Sequence, residues 1–164
     1  MPVKTIVYAA VIFFHDLFTA VWMGGLIVTV IATIPALKEV LSPGPMTRKV
    51  MAAFQARQRV WVYISMAGLV VTGLLLGRQS GQFAGLFSFT NPYSIVLSIK
   101  HILVILMIGL TLYRSIVLNP NRKGMTHSKE KWSFKLLVIN AGLAVAVLMF
   151  SALTAAIARG LPAG

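Results

Sequence analysis

Four long apolar runs, separated by three short polar stretches, organise the chain. They cover residues 6–34, 60–76, 93–118 and 134–156. A helix crossing a hydrocarbon core of ~30 Å needs about 20 largely apolar residues, and four segments of this kind predict four spans. Breakers fall between them: Pro35 after the first run, Thr90-Asn91-Pro92 as a cap and early-helix proline before the third, and Asn119-Pro120-Asn121 after it. The first run is longer than the apolar core of a cleaved leader and lacks its small-residue cleavage site, so it reads as a retained span.

Between the first two runs, Ser42-Pro43-Gly44-Pro45 forms a turn. Met46, Val50, Ala53 and Phe54 then recur at helical spacing opposite Arg48, Lys49, Gln55 and Gln58. This segment reads either as a short amphipathic helix on the membrane surface or as an extension of the second span. The expected fold is an all-α, four-transmembrane-helix bundle forming a single membrane domain over residues 1–164. Phe83, Phe87 and Phe89, in the Gly- and Ser-rich stretch before Thr90, read as an aromatic belt at the lipid interface.

Composition agrees. The 164 residues are 58% hydrophobic and 11% charged, with a mean hydropathy of +0.86, whereas a soluble domain carries about 25% charge. Fifteen Lys and Arg against Asp16, Glu39 and Glu130 give a net charge of +12. In a soluble protein that balance would suggest nucleic acid, but no aromatic-interleaved basic groove accompanies it, and nucleic acid is not expected as a partner. Eleven of the fifteen basic residues instead flank the first and third loops, among them Lys38, Arg48, Lys49, Arg57, Arg59, Arg114, Arg122 and Lys123. By the positive-inside rule those loops are cytoplasmic and both termini lie outside. With no cysteine in the chain, disulfides, thiolate metal sites and cysteine nucleophiles are excluded.

Ionisable residues inside a span are costly and are functional candidates by default. Here they are His15, Asp16, Lys100 and His101. Counted from the outer ends of their helices at 1.5 Å per residue, His15 lies ~13 Å deep and His101 ~12 Å deep. Two imidazoles at one level suit the axial ligation of haem b within a four-helix bundle. Thr19, Trp22, Leu26 and Thr29 share the His15 face as a wall for the ring, while Lys100 and Arg78 could meet its propionates. A copper ion could use His15, Asp16, Met23 and His101, with Met66, Met107 and Met149 as further intramembrane thioethers. Asp16 and Lys100 could also simply neutralise each other, and His127 reads as a solvated loop residue.

Gly24-Gly25, Gly68, Gly73 and Gly77 read as close helix packing, within the bundle or against a second copy of the chain. Tyr63, Ser65, Thr72, Asn140 and Ser151 read as interhelical hydrogen bonds. There is no phosphate loop, zinc motif or Ser-His-Asp spacing.

The stretch His15-Asp16-Leu17-Phe18-Thr19-Ala20-Val21-Trp22-Met23-Gly24-Gly25 resembles the first-helix signature of the copper-resistance D (CopD) membrane domain. The second run, ending Thr72-Gly73-Leu74-Leu75-Leu76, and the third, with Lys100, Arg114 and Leu118-Asn119-Pro120, resemble its next two helices. Asn140 stands where that family's fourth helix often carries an acid. The resemblance implies copper handling across the inner (plasma) membrane, whereas the His pair itself points to haem b. The His and Trp-Met-x-Gly pattern with a third-helix Lys is also similar to HemJ-type protoporphyrinogen oxidase, which would use His15 and Lys100. That family's Leu-Pro-Arg stretch after the glycines is absent here. The expected function is a small b-type cytochrome, a redox carrier needing a membrane redox partner or quinone, with copper transport and the oxidase as alternatives.

Overall fold

A computed structural model describes residues 2–41, 44–79, 87–118 and 127–159. Four helices in these segments are long and apolar enough to cross a bilayer. The first runs Val3–Val40, the second Pro45–Gln79, the third Pro92–Ile116 and the fourth His127–Ala158. No strand occurs among the described residues. The chain is thus an all-α membrane bundle.

Of the two forms expected for the polar segment after Pro45, the structure takes the second, a continuous extension of the second span, because nothing from Met46 to Val60 interrupts helical hydrogen bonding. One boundary differs from the expected one. The first helix passes through Pro35 and ends at Val40. A proline inside a helix lacks an N–H and crowds the preceding turn. Here the preceding turn, Thr29–Thr33, is a wide π turn, and the helix resumes with Pro35 in its first turn. The third helix opens as expected: the Asn91 side chain accepts a hydrogen bond from the Ser94 amide at 2.7 Å and Pro92 follows it. The closing Asn119-Pro120-Asn121, Ser42-Pro43, Phe83, Arg122, Lys123 and the side chains of Arg78 and His127 lie outside the described residues.

The first helix packs on the second, the third on the fourth, and the middle of the first on the fourth. One end of the bundle is identified by Arg48 paired with Glu130 at 3.4 Å and by the Lys38 ammonium 5.3 Å from the Phe134 ring centroid. The last turn of the first helix and the first turns of the second and fourth therefore meet at the basic end. Trp22, Met23, Leu26, Val62, Met66, Met107, Leu137, Ala144 and Val147 form the shared core.

Polarity is distributed as lipid requires. Thr29, Ser65, Thr72, Ser94, Ser98 and Asn140 are buried, while Ile6, Phe13, Ile31, Val60, Trp61, Ile105 and Met149 are exposed. Hydrocarbon supplies no hydrogen bonds, so hydroxyls and amides turn inward and large apolar side chains face the tails. At Gly68 the absence of a side chain is used directly, because the Phe18 ring lies flush against its Cα. Phe18 in turn stacks on Phe14 at a centroid distance of 6.1 Å.

Candidate functional site

Asp16 follows His15 by one residue, and a helix rotates them about 100° apart. His15 accordingly turns into the bundle, half-buried, while Asp16 is exposed. The imidazole faces the second helix beside Gly73, where an added Cβ would stand in ordinary contact, 3.7 Å from His15 Cε1. Its Nδ1 lies 2.9 Å from Thr72 Oγ1.

The hydrogen bonding of Thr72 favours one tautomer of His15. Thr72 Oγ1 donates to the Gly68 carbonyl at 2.7 Å, so its single hydrogen is committed there. Its oxygen can then only accept, which places the imidazole hydrogen on Nδ1 and the ring lone pair on Nε2. Hydrogen bonds to the far ring nitrogen orient histidines that ligate metals or exchange protons. Replacing Thr72 by Val keeps the shape and removes the acceptor. Heteronuclear NMR of the labelled neutral imidazole is expected to report the Nδ1–H form in the wild type and a mixture in Thr72→Val. An unchanged tautomer would show that Thr72 does not set it.

Lys100 and His101 lie two turns into the third helix, both half-buried. The charges of Lys100 and Asp16 both act on His15, and that of Asp16 acts on Lys100, so these three groups share one electrostatic neighbourhood. Among the described residues Asp16 and Lys100 do not form a direct ion pair. The His101 ring meets Phe87 edge-on, 6.5 Å between centroids at 68°.

Trp22 and Met23 belong to the first π turn, Ala20–Gly24. That wide turn lets two consecutive side chains face inward, at 0% and 2% exposure. Leu26 and Thr29 are buried on the same side, so the face expected to line a ring is the interior face. Among the described residues, Trp22 Nε1 is buried without a hydrogen-bond partner. No three His or acidic side chains converge as a metal-holding group among the described residues; the copper set of His15, Asp16, Met23 and His101 is not gathered around one point by its imidazoles and carboxylate.

Sequence reading missed two features. Thr72 was legible as an interhelical hydrogen bond, but no spacing pairs it with a histidine 57 residues away. At the basic end, Arg59 and Arg114 read in the sequence as topology charges, and both line one cavity with Gln55, Gln58, Thr111 and Ser115. Adjacent polar contacts tie the helices there: Gln58 Nε2 donates to Thr29 Oγ1 at 3.0 Å, the Tyr63 hydroxyl to Ser115 at 2.6 Å, and Asn140 Nδ2 to Thr111 at 2.8 Å. Gly25 admits the Gln58 amide, which would stand 3.1 Å from a Cβ at that position.

Set against known proteins, the chain matches no protein-family model, no curated protein and no solved structure.

Proposed function

We propose that the protein is a multi-pass inner (plasma) membrane cytochrome that holds haem b, with His15 as one axial ligand and His101 as the other. The observation that carries this reading is the 2.9 Å contact between His15 Nδ1 and Thr72 Oγ1: with the Thr72 hydrogen on the Gly68 carbonyl, the hydroxyl oxygen accepts from Nδ1 and the Nε2 lone pair is left for iron. Bis-imidazole ligation takes two protein donors, here His15 and His101. Haem bound there supplies one-electron chemistry. Thr72 orients the imidazole, Lys100 provides a cation for a propionate, and the buried Trp22 and Leu26 keep water from the inward face. One such group cannot bridge a ~30 Å core alone, so a membrane redox partner or quinone completes the path.

A second reading has its own support. The charge of Lys100 acts on His15, and these are the two residues that a HemJ-like oxidation of protoporphyrinogen would use. The CopD likeness rests on sequence motifs alone, and copper transport is the third outcome of the test.

The absorbance spectrum of protein purified from haem-replete membranes decides among them. A Soret band of a six-coordinate, low-spin haem is expected, lost in His15→Ala and in His101→Ala. Thr72→Val is expected to keep the band while weakening haem affinity by about 10- to 100-fold, as the loss of a hydrogen bond behind a ligating histidine does elsewhere. Absence of any such band after reconstitution with haem would sink the cytochrome reading. Altered cellular copper without a chromophore would then select transport, and turnover lost in Lys100→Ala would select the oxidase.

A further inference from the structure

The cavity at the basic end lies below the level at which the bundle meets lipid. Gln58 donates to Thr29, Asn140 donates to Thr111, and Gln58 and Thr111 line the same cavity. These four residues therefore mark one level across the four helices. On the outer surface of the bundle, apolar side chains continue past that level towards the basic end. Ile116 and Val117 follow Thr111 by five and six residues, and Phe134 precedes Asn140 by six; all three are exposed. At 1.5 Å per residue the marked level is roughly 8–9 Å inside the hydrocarbon.

Polar groups nevertheless line a space at this depth. Gln55, Gln58, Thr111, Arg114 and Ser115 are half-buried and border a cavity of about 50 Å³. Ser115 and Gln55 stand one turn nearer the basic end than Thr111 and Gln58, so the polar groups descend stepwise into the apolar layer. Among the described residues, neither the Arg114 guanidinium nor the Gln55 amide finds a hydrogen-bond partner. A guanidinium brings five N–H donors and keeps its charge in proteins, and charged groups at membrane depth face either the bundle interior or water. One water needs about 10–15 Å³, so a space of this size holds about three to five of them. At the other end the space is closed. Leu26 and Val62 are its apolar limit, and Trp22 and Met107, one turn further from the basic end, are 0% exposed.

We infer that this cavity is a water-filled inlet that opens at the basic end and carries solvent between the second and third helices as far as Thr111. The second and third helices are not a principal packed pair, which leaves a seam for entry. Water supplies acceptors to the Arg114 guanidinium and both a donor and an acceptor to the Gln55 amide. The ligands of this site are water and solutes small enough to follow it. The core around Trp22 ends the inlet, so the His15 layer stays closed to solvent from the basic end. The inlet is separate from that layer and does not depend on the cytochrome reading.

The chain has no cysteine, so a single-cysteine variant carries one thiol, and infrared spectroscopy in lipid nanodiscs follows the exchange of its S–H for S–D in D₂O. Thr111→Cys and Ser115→Cys are expected to exchange readily. Leu112→Cys and Ile116→Cys, their sequence neighbours at nearly the same depth but exposed to lipid, are expected to exchange at least about tenfold more slowly, because exchange passes through the thiolate and apolar surroundings suppress it. Arg48→Cys, at an exposed position, gives the rate in open solvent. In the wild type, magnetisation transfer from water to the Gln55 side-chain amide, read by NMR, makes the same test without a substitution and serves if the Thr111 variant does not fold. Exchange in Thr111→Cys as slow as in Leu112→Cys, or the absence of transfer from water to Gln55, overturns the inference.

Discussion

Gly68→Leu is expected to lower the stability of the bundle by about 1–3 kcal/mol, the usual cost of forcing extra volume into a packed contact. The second helix has no side chain at Gly68, and the Phe18 ring of the first helix occupies that space. A leucine there must displace the ring. Phe18 is itself held by stacking on Phe14, so moving it disturbs the contact that aligns His15 with Thr72 one turn away. In lipid, close van der Waals approach through small residues is a main source of helix association, because tails are as apolar as leucine. The loss therefore falls directly on the pairing of the first and second helices.

Two controls make the result specific. Gly109→Leu adds the same bulk where nothing lies within 4 Å of the new Cβ, and it is expected to change stability little. Phe18→Ala combined with Gly68→Leu is expected to recover part of the loss. Unfolding in mixed micelles, followed by circular dichroism, measures all three. Equal stability of Gly68→Leu and Gly109→Leu would show that this contact does not hold the helices together.

Trp22→Ala is expected to cost about 3 kcal/mol or more, the range of large aromatic truncations in packed interiors. The indole is fully buried in a core shared with the second, third and fourth helices. The packing that it supplies to the cluster containing Met66, Met107 and Val147 has no replacement when it is removed, since the void is walled off from lipid. Trp22→Phe separates packing from polarity. The indole Nε1 has no hydrogen-bond partner among the described residues, so losing the N–H removes an unsatisfied donor while most of the ring volume stays in place. The Trp22→Phe variant is accordingly expected to retain most of the stability that the Trp22→Ala variant loses. A thermal melt of the two variants in the same detergent checks this, and equal destabilisation would mean that the N–H, not the ring volume, matters.

The four spans were legible in the chain because a helix in lipid must satisfy every backbone group internally, and only a long apolar run achieves this. The cap at Asn91 was legible too, since Asn before Pro is a local signal. Depth counted along the helices places Lys100 in the layer of His15. The inward face of the first helix was readable from residues three, four and seven positions apart, of which Trp22, Leu26 and Thr29 are buried.

Helix ends were less legible, because polar residues can continue a helix beyond the membrane as Arg48 to Arg59 do. The π turns were not legible at all. Ala20–Gly24 and Thr29–Thr33 add a residue to a turn without a compositional signal, and each rotates the remainder of its helix.

Apolar length and charge asymmetry, properties of single segments, sufficed for the helix count, the all-α class and the shared end of the basic residues. Pairings between segments needed the folded arrangement. The Thr72 acceptor that selects the His15 tautomer, the seat of Phe18 on Gly68 and the meeting of Arg59 with Arg114 each join residues from different helices. In hydrocarbon the choice of partner depends on side-chain shape, small-residue approach and matched hydrogen-bond capacity across two surfaces, and hydropathy along one helix carries no record of the surface it will meet.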